Sequence, residues 1–280
     1  MPARILVDHA MQEPERHAFA GGELCLFTAP PPGQESGNQD GAALVELGPG
    51  RGVLAVADGL GGQPAGDKAA RIALESLVDA VLENEARGGT LRHAVMDGFE
   101  RGCERVQDLG VGAATTLVVV EIDGGHVRTY HVGDSMILVV GQRGRRKLQT
   151  VSHSPVGYAV EAGVLDESEA LHHDELNLIS NMVGAADMRI EVGSRRALSP
   201  RDTILLASDG LLDNLHLEEI VEMIRRGPLD AAARRLLEKC HERMGGGDAD
   251  EPSKPDDTTF VIFRPRARRE GRPSPRRPSQ

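Results

Sequence analysis

Three apolar runs of strand length stop abruptly on an aspartate. Leu54–Ala57 runs into Asp58-Gly59, Tyr130–Gly133 into Asp134-Ser135, and Leu205–Ser208 into Asp209-Gly210. A strand with apolar side chains on both faces has to be covered on both sides, so the chain cannot be a single sheet with one wet face. A carboxylate at the end of such a strand leaves the dry core and faces an edge of the sheet. Two more aspartate clusters stand at predicted strand boundaries, Asn38-Gln39-Asp40 and Asp256-Asp257-Thr258-Thr259.

The remaining pattern supplies partners for these strands. Strands are predicted at 23–29, 42–47, 52–57, 115–122, 126–132, 136–141, 147–151, 189–197, 203–207 and 258–263, from β-branched and apolar runs bounded by Gly, Pro and Asp-Gly signals. Helical spacing of apolar residues predicts helices over 67–86, 90–108, 217–225 and 229–244. Asp166 and Glu169 have the spacing of a capping box and predict a short helix there. Residues 1–22 show no clear element and read as an extension ahead of a domain spanning 23–264. Residues 265–280 continue a Pro- and Arg-rich stretch without an apolar face and read as a disordered basic tail. Many antiparallel strands interrupted by helix pairs predict one α+β domain built as a layered sandwich.

Charge narrows the possible partners. The net charge of −11 divides into +6 over residues 264–280 and −17 over the rest. An acidic body repels nucleic acid and anionic membranes but suits divalent cations. Aromatic residues are 2% of the chain, which also argues against a base-stacking platform. The apolar runs are strand-length, far below the roughly 20 residues of a membrane span. The N-terminus lacks a basic segment followed by an apolar one, so a cytoplasmic location is expected. Cys25, Cys103 and Cys240 lack metal-ligand spacing and read as reduced thiols.

Aspartates gathered at one sheet edge make an all-oxygen site suited to Mg²⁺ or Mn²⁺. Gly59, lacking Cβ, allows close backbone approach, so that its carbonyl can serve as a ligand. Asp58 would then bridge two ions about 4 Å apart, a pair that activates water for attack on a phosphate monoester. Taken singly, each Asp-Gly or Asp-Ser is a common turn dipeptide.

The ordered series is more specific. Asn38-Gln39-Asp40, VADGLGG at 56–62, GAATTL at 112–117, HVGDS at 131–135, His153-Ser154, ISNMVG at 179–184, ASDGL at 207–211 and DDTTFVIF at 256–263 together resemble the metal-dependent serine/threonine protein phosphatases of type 2C, in their compact bacterial form. The resemblance covers about residues 22–264. It implies a four-layer αββα sandwich, with two antiparallel sheets between helix pairs and metals at one edge. It implies two Mn²⁺ or Mg²⁺ ions and a third, weaker one. Asp58 would bridge the first two, Gly59 would give its carbonyl to the second, and Asp209 and Asp256 would complete the first. Asp40 would hold metal-bound water, and Asp134 would help bind the third ion. Phosphorylated proteins, the targets of a Ser/Thr kinase, are the implied substrates, and a monomer is the implied state.

The chain departs from the family pattern at Glu35, where relatives carry a phosphate-gripping Arg. It also departs at Leu60, Met136 and Ser152. Either another cation, with Lys68 the candidate, takes the place of the Arg, or phosphate binding relies on the metals alone; substrate binding is expected to be weaker for its loss. Two alternatives follow: a catalytically weak module that binds phosphoproteins, or a phosphatase of small phosphorylated metabolites. The segment 154–187 is the expected source of selectivity, with His172-His173 an exposed helix end.

Overall fold

The computed structural model describes residues 3–34, 37–61, 65–246 and 251–266. In chain order the first strands are β1 (Ala3–Val7), β2 (Glu15–Phe19), β3 (Gly22–Ala29), β4 (Gly41–Gly48) and β5 (Arg51–Ala57), followed by helices α1 (Gly66–Ala86) and α2 (Leu91–Gln107). Next come β6 (Leu117–Asp123), β7 (His126–Val132), β8 (Met136–Val140), β9 (Arg146–Gln149), α3 (Pro155–Glu161) and α4 (Glu167–Ala170). The chain closes with β10 (Glu191–Val192), β11 (Arg196–Ala197), β12 (Thr203–Ala207), α5 (Asp209–Leu212), α6 (Leu217–Ile224), α7 (Leu229–Met244) and β13 (Thr258–Pro265).

Two sheets result, each paired antiparallel throughout. One has the order β1-β4-β5-β6-β7-β10, with β11 also on β7; the other runs β2-β3-β13-β12-β8-β9. The period-two pleat of the central strands splits their side chains between separate cores. Along β5, Val53, Ala55 and Ala57 pack under α1 and α2, while Leu54 and Val56 enter the layer between the sheets. Along β13, Phe260 and Ile262 pack under α6 and α7, while Val261 and Phe263 face the first sheet. Three apolar layers therefore separate four structural layers, the αββα sandwich that the sequence led us to expect. With aromatics scarce, Ala69, Ala70 and Ala73 let α1 lie close on its sheet.

Several elements differ from the sequence reading. The stretch read as lacking an element before Gly22 contains β1 and β2, which pair with β4 and β3. β1 carries Arg4 and β2 carries Glu15, Arg16 and His17 in succession, charged residues of the kind that protect sheet edges, and in β2 this run masked the strand. Arg4 of β1 donates to Glu15 of β2 at 2.7 Å, linking the two sheets at that edge. The last strand runs on to Pro265, because Arg264 is fastened to the carbonyl of Ile224 at 2.8 Å and to Thr203 Oγ1 at 3.1 Å. The single strand expected over 189–197 is two short pieces on β7. The capping box at Asp166 and Glu169 is present at the start of α4. The tail read as disordered lies, from residue 267 onward, outside the described residues.

Candidate metal centre

Antiparallel neighbours place the end of one strand beside the start of the next. Gly41 of β4 pairs with Ala57 of β5, so Asp40 and Asp58 emerge at one edge of the first sheet. Ala207 of β12 pairs with Phe260 of β13, so Asp209 and the Asp256-Asp257 pair emerge at one edge of the second. Asp134 lies on the connection from β7 to β8, where the chain crosses between sheets. The two edges meet around a cavity of about 400 Å³ lined by Asp58, Gly59, Asp134, Asp209, Lys254, Asp256 and Asp257. Asp40 sits behind that lining and is buried.

Hydrogen bonds hold these strand ends still. Ser208 Oγ donates to Asp40 Oδ2 at 2.6 Å and accepts from the Thr259 amide at 3.0 Å. Asn38 Oδ1 accepts from the Asp40 amide at 3.0 Å, and Gln39 N donates to Asp257 Oδ2 at 2.6 Å. On the other side, Thr116 Oγ1 accepts from the Asp58 amide at 3.0 Å, while Thr115 Oγ1 donates to the Asp58 carbonyl at 2.7 Å. His153 Nδ1 accepts from the Gly133 amide at 3.1 Å and meets Asn181 Nδ2 at 2.9 Å, fixing the approach to Asp134 and tying the 180s segment to it.

The glycines after Asp58 and Asp209 are required by close approach. A Cβ on Gly59 would stand 2.3 Å from the Gly66 carbonyl oxygen, and one on Gly210 would stand 1.9 Å from that of Asp257. Gly59 is bridged to Thr115 and Gly210 lies within α5, so neither dipeptide is a simple turn. They pack a strand end against neighbouring backbone.

The electrostatics are those of carboxylates crowded away from water. Burial, reinforced by neighbouring aspartates, pushes Asp40 and Asp58 well above the usual carboxylate range. Burial, with Asp209 beside them, pushes Asp134 and Asp213 up to about 7. Asp257 rises to about 6, again chiefly by burial. One lysine answers this charge. Burial works against the charged form of Lys254, but Asp209 and Asp213 outweigh it and raise its pKa.

Asp213 and Lys254 were not found from the sequence. Asp213 carries a legible signal, since it stands one helical turn after Asp209; Lys254 lies in a loop with no pattern. Lys68, the sequence candidate for a phosphate-binding cation, is exposed on α1 and does not line the cavity. Glu35 lies outside the described residues. His172 and His173 are exposed just beyond α4.

The donor set fits hard divalent cations: carboxylates from four segments of the lining with Asp40 behind them, a backbone carbonyl at Gly59, and no thiol or imidazole among the described lining residues, the Met182 thioether being a soft donor that such ions do not favour. Asp134 Oδ1 is buried without a hydrogen-bond partner among the described residues, an orphaned oxygen of the kind a cation would satisfy.

The family model described as Protein phosphatase 2C matches residues 33–244. The chain belongs to the protein phosphatase 2C family. Among relatives in that family, protein phosphatase PhpP of Streptococcus pneumoniae is 30% identical over 211 residues, 71% of this chain and 83% of its own length. Serine/threonine protein phosphatase PstP of Mycobacterium tuberculosis is 30% identical over 218 residues, 75% of this chain but only 40% of that longer protein. The solved serine/threonine phosphatase of Streptococcus agalactiae has a TM-score of 0.71 at 28% identity, covering 87% of this chain and 99% of that one. The PstP catalytic domain, solved with two manganese ions, shares the fold at 24% identity with a TM-score of 0.64, covering 86% of this chain and 96% of that one.

A second cavity of about 380 Å³ opens from the same carboxylates, sharing Asp134 and Asp209. Its walls are mixed: Val156, Val160, Leu171 and Ile220 from and beside α3, α4 and α6 give an apolar part, with Met136 beneath, while Arg146, Glu167 and His216 are among the polar residues of the lining. No helix of the described residues is long and apolar enough to cross a membrane.

Proposed function

We propose that this protein phosphatase 2C chain hydrolyses phosphoserine and phosphothreonine on proteins at the aspartate cavity. The observation that carries the reading is the convergence there of Asp58, Asp134, Asp209 and Asp256 with the Gly59 backbone, on strand ends that hydrogen bonds hold in place. Asp58, Asp209 and Asp256 would hold two Mn²⁺ or Mg²⁺ ions with the Gly59 carbonyl. Asp134, with Asp213 beside Asp209, would take a third. Bound there, such ions supply an acidified water and neutralise the phosphoryl oxygens.

The chain's own residues do the rest. Asp40, held by Ser208 and facing Asp209 and Asp257, would orient the attacking water from behind the cavity. Desolvation of the carboxylates disfavours them as free anions and favours them as ligands. Leu60 cannot act as the acid that protonates the leaving oxygen, so that proton would come from water. The second cavity, reached across Asp134 and Asp209 and lined by both apolar and polar side chains, would seat residues flanking the phosphorylated one, which suits a protein substrate better than a small metabolite.

Chelator-stripped protein should gain activity on a phosphothreonine peptide when Mn²⁺ is restored, and prefer that peptide to sugar and nucleotide phosphates. Activity confined to the small phosphates would assign a metabolite phosphatase. Peptide binding without turnover on any substrate would assign a binding module.

A further inference from the structure

Within the metal centre lies a cation that belongs to the chain. Lys254 Nζ is 2.7 Å from Asp209 Oδ2, 2.8 Å from Asp213 Oδ2 and 3.3 Å from Asp256 Oδ2. An ammonium has three donors, and here each faces a carboxylate. The backbone that delivers it is held firmly. Buried Asn214 accepts from the Lys254 amide through Oδ1 at 2.8 Å and donates through Nδ2 to the Lys254 carbonyl at 2.8 Å. Buried Arg243 donates to the Asn214 carbonyl at 3.0 Å and pairs with Glu219 and Glu251 at 2.8 and 2.7 Å. Ser253 Oγ donates to the Arg243 carbonyl at 2.7 Å. The loop before Asp256 is thus fastened to α6 and α7, and the lysine points into the carboxylates.

We propose that Lys254 competes with divalent ions for the oxygens of Asp209, Asp213 and Asp256, so that loading the centre exchanges one cation for another and this residue sets the metal affinity. The inference rests on the metal-centre reading and adds to it the residue that tunes it. A lysine suits the exchange. Its charge is compact and sits on a flexible stem, so the ammonium can swing away while the clamped backbone stays. Its side chain keeps 28% of its surface exposed, which gives it a route out. A divalent ion brings twice the charge, so it can displace the ammonium, at a higher free concentration than an uncontested site would need.

Calorimetric titration of the chelator-stripped full chain with Mn²⁺ tests this. Lys254→Met should bind Mn²⁺ about tenfold or more tightly than the unaltered chain, whereas Lys254→Arg, which keeps the charge, should bind no tighter. Equal or weaker binding by Lys254→Met would overturn the proposal. If the unaltered chain and both variants give no Mn²⁺ binding, the metal-centre reading itself fails. A second measurement needs no variant: pulse acetylation of the unaltered chain, read by peptide mass spectrometry. Modification of Lys254 should be several-fold faster in saturating Mn²⁺ than in chelator, because the freed amine leaves its ion pairs. An equal or slower rate would contradict the exchange.

Discussion

At the scale of single residues, the site depends on side chains that never touch its cavity. Ser208 joins the buried Asp40 carboxylate to the Thr259 amide, so removing its hydroxyl strands two buried polar groups at once. Ser208→Ala should cost about 1–3 kcal/mol of stability, measured by urea unfolding; a change within experimental error would mean that Asp40 finds another partner. The aspartates themselves were legible, because each ends or begins an apolar strand. Lys254 and Asp213 were not singled out. A lysine in a Pro-containing loop has no periodicity to reveal its direction, and Asp213 caps the end of the four-residue α5, so its helical spacing from Asp209 shows only once that helix is recognised. A pH effect also belongs here. Burial lowers the pKa of His131, so the fold favours its neutral form. That contribution is present above the unfolded pKa of about 6.5 and is lost as the pH falls from there through the lower folded value. The stability cost of His131→Gln should therefore be smaller near pH 5 than near pH 7; a constant cost would contradict a neutral buried His131.

At the scale of elements, the edge strands were the hardest to read and carry weight in the fold. β2 looked featureless because Glu15, Arg16 and His17 mask one buried residue, Phe19, which meets Phe263 edge-on at 6.1 Å in the layer between the sheets. Phe19→Ala should cost about 3–5 kcal/mol, read as a lower denaturation midpoint. A cost below about 1 kcal/mol would place the segment outside the cooperative core. The central strands were easy to read for the opposite reason. Val53 to Ala57 and Phe260 to Phe263 are apolar on both faces because each face has its own core. Helix α5 went unseen because its four residues begin on Asp209 itself, where the chain turns straight from strand to helix.

At the scale of the whole molecule, the sandwich acts as a frame that brings two sheet edges together. We propose that the folded domain ends just past Arg264, whose guanidinium ties β13 to the carbonyls of Ile224 and Gly227. A chain ending after Arg266 should keep its thermal midpoint and its turnover, while one ending after Phe263 should melt lower; equal melting of the two would put the boundary elsewhere. The central claim is that Asp58, Asp209 and Asp256 form a metal centre that hydrolyses phosphoproteins. Its most direct test is phosphothreonine-peptide turnover by the chelator-stripped chain across a Mn²⁺ titration, beside Asp209→Asn. We predict no turnover without metal, saturable activation by Mn²⁺, and a loss of about 100-fold or more in kcat/KM for Asp209→Asn, beyond what an outer hydrogen-bond partner costs. Turnover that persists in chelator, or that survives Asp209→Asn at full rate, would contradict the account.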